Sequence, residues 1–150
     1  MKIYTSYFYQ VRFFPTNLIP LSTAVWPPKY FGTPLTQHKD KRGVICGLDI
    51  PPLKPGPQLT GLCDGKCKFK NPKSCLFLQK YYEQLTTLQF SDIIKSLQRM
   101  KEKIELGENL KDINFALMVY EAPNNPCSER APIQRWFKEH NVNVEEWSLA

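Results

Sequence analysis

Only two histidines occur in this chain of 150 residues, His38 and His140, and they stand far apart. A Ser-His-Asp constellation, a Walker loop and a Gly-x-Gly-x-x-Gly fingerprint are all missing. That disfavours the familiar hydrolase and nucleotide-switch chemistries, which need those groups at fixed spacing. No apolar run approaches the roughly 18 residues that a membrane helix requires. Met1 to Tyr9 lacks the long apolar core of a secretory signal. Both gaps lead us to expect a cytoplasmic chain with no membrane partner.

What is present points to a folded domain. Hydrophobic residues make up 42% of the chain and aromatics 13%, and the length suits one domain with a real core. Lysine and arginine total 20 against 14 acidic residues, a net charge of +6. That excess suits an anionic partner such as a nucleotide or nucleic acid, or serves solubility alone. Lys66, Lys68, Lys70 and Lys73 form the densest basic patch.

The β-branched and aromatic run Lys2 to Tyr7 reads as a first strand, and Asn17 to Ala24 as a second. Pro20 marks the second as an edge, bulged or irregular strand. Thr33 to Pro72 reads as loop, since it carries Pro34, Pro51, Pro52, Pro55, Pro57 and Pro72. A loop this long is functional, disordered or cross-linked. Helical spacing returns at Leu78, Tyr81, Tyr82 and Leu85. Ser91 resembles an N-cap for a second helix through Ile93, Ile94, Leu97 and Ile104. The apolar run 115–120 suits a strand covered on both faces. Pro132 to His140 reads as a helix and Val142 to Trp147 as a closing strand, which implies a crossover and a parallel pair.

Between that buried strand and that helix lie Cys127, Ser128, Glu129 and Arg130. Ligand sites in α/β proteins are built outside the carboxyl ends of strands. Arg130 offers a planar fork for phosphate or carboxylate, and Cys127 a nucleophile near a helix start. Glu121 is a candidate base or an Arg130 partner. Thr5 and Ser6, ending the first strand, are expected to reach the same crevice as ligand-binding hydroxyls. The structural alternative makes Cys127 a small buried residue and Glu129–Arg130 a local ion pair.

The other four cysteines, Cys46, Cys63, Cys67 and Cys75, fall in the proline-rich segment. Four soft ligands on a loop with little apolar support would suit zinc or an iron–sulfur cluster. Their spacing is irregular, so ordinary thiols or a redox pair stay open. His38 is a substitute ligand for Cys46. At the N-terminus, Tyr4, Tyr7, Phe8, Tyr9, Phe13 and Phe14 alternate with Lys2 and Arg12. Such aromatics stack on bases or form core and rim.

The run Ile3-Tyr4-Thr5-Ser6-Tyr7-Phe8 resembles the opening of proteins in the uncharacterised domain family DUF488. So does the stretch from Leu117 to Trp136, with Tyr120-Glu121, a Cys/Arg loop and Trp136-Phe137. Tyr81-Tyr82 and Leu85 fit the family's middle. The family often carries Cys-His-Arg, whereas this chain has Cys127-Ser128-Glu129-Arg130. A histidine acid or base is therefore not carried over. The resemblance implies an α/β fold and settles no activity.

The combined expectation is a single three-layer α/β domain with a short, mainly parallel sheet. A cysteine/proline-rich insertion at 43–75 is expected within it. Its function is expected to be an enzyme or ligand-binding domain for a nucleotide or nucleic acid, with a pocket of Thr5, Ser6, Glu121, Cys127 and Arg130. The alternative is a non-enzymatic, metal-stabilised interaction module built on Cys46, Cys63, Cys67 and Cys75.

Overall fold

The computed structural model describes residues 1–62 and 72–149. In chain order it contains β1 (Ile3–Tyr7), β2 (Leu18–Ser22), β3 (His38–Lys39) and β4 (Ile45–Cys46). Then follow α1 (Leu76–Thr86), α2 (Phe90–Glu108), β5 (Asn114–Val119), α3 (Arg130–Glu139) and β6 (Glu145–Glu146). The main sheet has the order β2-β5-β1-β6, with every pairing parallel. β3 and β4 form a separate antiparallel pair. This is the expected α/β domain with a short parallel sheet. Among the described residues no helix is long and apolar enough to cross a membrane.

The strand β5 is central because its sequence can be covered on both faces. Phe115 and Leu117 join the cluster under the helices, while Ala116 and Met118 join a second cluster on the opposite face. All three α-helices pack on the first face, through Tyr81 and Leu85, Ile93 and Leu97, and Ile133, Trp136 and Phe137. Among the described residues the second face is covered without an α-helix. A 3-10 turn at Phe8–Phe13 delivers Phe8 and Val11, and Phe14, Phe31, Val44 and Cys46 complete the layer. Pro20 sits in β2, an edge strand of the main sheet, where the missing N–H costs least.

Several boundaries differ from the sequence reading. Ser91, expected as an N-cap, lies inside α2, which begins at Phe90 with Gln89 as its cap. The helix expected from Pro132 begins at Arg130. A proline in the first turn removes an N–H that has no intrahelical acceptor anyway, and Ser128 Oγ accepts the Arg130 N–H at 3.2 Å. The expected closing strand Val142 to Trp147 shortens to Glu145–Glu146, which pairs with β1 rather than β5.

The proline-rich segment up to Leu62 is ordered by ordinary packing. Ile45, Ile50, Leu53 and Leu59 are buried in the helix-side core. Tyr81 Oη donates to the Leu53 carbonyl at 2.5 Å. The Gln84 amide accepts from Gly56 N–H at 2.8 Å and donates to the Lys54 carbonyl at 2.7 Å. The premise that this part of the loop lacks apolar support is thus corrected. Cys46 is a packing residue in the second cluster, and burial pushes its thiol up to about 11. Cys75 is buried at the start of α1. Cys63 and Cys67, with Lys66, Lys68 and Lys70, lie outside the described residues. Among the described residues no three of His, Cys, Asp and Glu group as a metal site.

A neutral, enclosed thiol reacts slowly. Native protein treated with a thiol reagent near pH 8 should leave Cys46 unmodified, as read by peptide mass spectrometry, and unfolding should expose it. Native labelling of Cys46 at the rate of an unfolded peptide would contradict this packing.

Candidate functional site

The registers set Tyr7 opposite Val119 and Ser22 opposite Met118. The carboxyl ends of β1, β2 and β5 therefore finish nearly level at one edge of the sheet. β5 leaves that edge through Tyr120 and Glu121, and the chain returns at Ser128–Arg130 to start α3. The expected crevice is here, but its groups are arranged differently from the sequence reading.

Arg130 is buried, and its partner is Glu146. Arg130 Nε donates to Glu146 Oε1 at 2.5 Å, and Nη2 donates to Glu146 Oε2 at 3.3 Å and to the Glu121 carbonyl at 2.7 Å. Thr5 Oγ1 donates to the same Glu146 oxygen at 2.8 Å and accepts from Gln134 Nε2 at 2.8 Å. Thr5, Arg130, Gln134 and Glu146 thus form one polar network beneath the strand ends. Arg130 is a brace between α3, β6 and the 121 carbonyl, with its charge matched by Glu146. Ser6 follows Thr5 in a strand, so its side chain points to the opposite face of the sheet. It is fully buried there, and its Oγ has no hydrogen-bond partner. Cys127 is half-buried, and its N–H is bonded to Asn125 Oδ1 at 3.0 Å.

The open part of the edge is a cleft of about 320 Å³. Val25, Trp26, Leu59, Phe77, Tyr120 and Glu129 are among its lining residues. Cys127 and Arg130 are not. Tyr120 Oη donates to the Trp26 carbonyl and ties the two walls together. Glu129 supplies the carboxyl group of the cleft. Burial, followed by the charge of Glu121, pushes it up to about 7. Arg130, next in sequence, opposes this only weakly, consistent with its pairing to Glu146. Glu121 keeps a buried oxygen, Oε1, without a hydrogen-bond partner.

Glu121 and Arg130, selected from sequence, do sit at the strand ends, and Thr5 joins Arg130 through Glu146. Glu129, Glu146, Gln134 and Trp26 were missed as site residues. Glu129 was visible as the one acidic residue between Cys127 and the helix start. The signal for Glu146 was a carboxylate on a strand expected to lie in a buried sheet. A slightly larger hollow, about 360 Å³, lies between Ile45 and Leu48 and the end of α2. It lies away from the strand ends, and its Glu108 is paired with Lys39 at 2.6 Å. We therefore place the site at the smaller cleft. Comparison with family models, curated proteins and solved structures returned no match to this chain.

Removing one partner of a buried ion pair leaves the other charge unmatched. Glu146→Ala should lower unfolding stability by roughly 3 kcal/mol, measured by urea denaturation. Adding Arg130→Met should recover much of that loss. Additive losses in the double-mutant cycle would contradict the brace.

Proposed function

We propose that the chain binds a nucleobase-bearing ligand, a nucleotide or nucleic acid, in the cleft at the ends of β2 and β5. The observation that carries this reading is the raised Glu129 carboxyl in a cleft walled by Trp26, Tyr120 and Phe77. Aromatic walls suit a flat ring. A protonated carboxyl presents a donor and an acceptor together, the pattern found on the edge of a nucleobase. Among the described residues neither Glu129 nor Glu121 is in an ion pair, which disfavours an anion at this spot, so a phosphate would lie outside the cleft. Arg130 acts through Glu146, as a positioning residue.

The same group supports an enzymatic reading. A carboxyl near 7 can give or take a proton in a reaction near neutrality. We further infer kinship with DUF488, supported by the sequence resemblance, the α/β sheet and the position of Tyr120-Glu121 at a strand end.

Ligand affinity should follow the proton. With neutral nucleosides as probes and Trp26 fluorescence as the readout, binding should weaken as pH rises through about 7. Glu129→Gln keeps a donor at every pH and should flatten the profile. A flat wild-type profile, or no nucleoside binding at pH 5 to 6, would overturn the reading. Stability carries its own signature. A carboxyl raised from its unfolded value contributes fully below about 4.5 and loses that contribution as pH rises through about 7. Glu129→Gln should therefore stabilise the fold by roughly 2 kcal/mol at pH 8 and by little at pH 4.

A further inference from the structure

Four large rings stand in solvent beside the cleft: Trp26 at 83% exposure, Tyr30 at 60%, and Tyr9 and Tyr120 at 51% each. We group them, with Phe8 and Arg12, as one aromatic ribbon. Tyr120 is bonded to the Trp26 carbonyl, and Tyr30 acts electrostatically on its hydroxyl. Arg12 acts in the same way on Tyr30. The Arg12 guanidinium lies over the Tyr9 ring at 3.8 Å. Phe8 packs beneath Tyr120 at 5.1 Å and anchors the middle of the ribbon to the second core cluster.

Cations flank these rings. Arg42 donates to the Arg12 carbonyl at 2.7 Å and to the Phe14 carbonyl at 2.9 Å, which holds it beside Arg12. Lys29, between Trp26 and Tyr30 in the chain, is exposed. The nearby Asp40 carboxylate accepts from the Arg42 and Val44 N–H groups, at 2.9 Å each, and is turned toward the backbone.

We propose that this ribbon binds single-stranded nucleic acid, with bases stacking on Trp26, Tyr30 and the Arg12–Tyr9 pair. Rings interleaved with cations match a strand whose bases are unpaired and whose phosphates run beside them. A duplex hides its base faces and would meet only the charge. The proposal rests on the nucleobase reading of the cleft only for the base nearest Trp26 and Tyr120. The rest of the ribbon stands apart from it.

The test is fluorescence anisotropy with a short labelled oligothymidylate, across a salt series. The strand should bind at low salt, lose affinity as salt rises, and outcompete a duplex of equal length. Tyr30→Ala and Arg12→Ala should each weaken binding roughly 10-fold, while Tyr30→Phe should hold near wild type. Tyr30 and Arg12 are surface positions, so the core is kept. No binding at low salt would overturn the proposal. So would binding that ignores Tyr30→Ala and falls only with salt, because that is diffuse charge. Strand binding that depends on Tyr30 but is indifferent to Glu129→Gln supports the ribbon and counts against the cleft as a base site.

Discussion

The buried pair Arg130–Glu146 governs the chemistry of this edge of the sheet. Arg130 stands one residue from Glu129 and would ordinarily neutralise it. Instead its guanidinium turns to Glu146 on β6 and to the Glu121 carbonyl. Thr5 and Gln134 fix the same carboxylate from β1 and α3. The brace ties together three elements at the strand ends, and among the described residues it leaves Glu129 without an ion-pair partner. Burial and the neighbouring charge of Glu121 then hold the Glu129 carboxyl well above the usual range, and Arg130 opposes them only weakly.

Topology makes that arrangement possible. In a parallel sheet the carboxyl ends of adjacent strands finish together, and the returning loops leave a cleft between them. Here β2 and β5 end side by side, and the proline-rich segment folds over them through Leu53 and Leu59. Tyr81 and Gln84 of α1 pin that segment from below. The cleft thus has one wall from the segment 55–61, one from Trp26 and one from Tyr120. The aromatic ribbon continues the last two walls outward.

The parts of this fold legible in sequence are those with a strong period or a strong run. The apolar stretch that became β5 could be covered only on both faces, and the spacing of Leu78, Tyr81 and Leu85 could only be a helix face. The position of the site after β5 was legible for the same reason, since a buried strand must end at an edge. The partners within it were not. Which carboxylate meets Arg130 depends on β6 lying beside β1, with Thr5 and Glu146 separated by 141 positions in the sequence. Ser6 was grouped with Thr5 because they are neighbours in the chain, yet strand alternation sends them to opposite faces. The proline-rich segment seemed to need a cross-link because its apolar residues are sparse. Ile45, Ile50, Leu53 and Leu59 are spaced irregularly, and three-dimensional packing rather than period brings them into one core.

The account turns on the Glu129 proton, and carbon-detected NMR titration of the Glu side-chain carboxyls reads it without any ligand. The Glu129 carboxyl should titrate with a midpoint near 7 in the native protein, and Glu121→Gln, which removes the neighbouring charge, should lower that midpoint. A Glu129 midpoint near the ordinary carboxylate value of about 4.3, unmoved by Glu121→Gln, would contradict the raised Glu129 carboxyl and the site built on it.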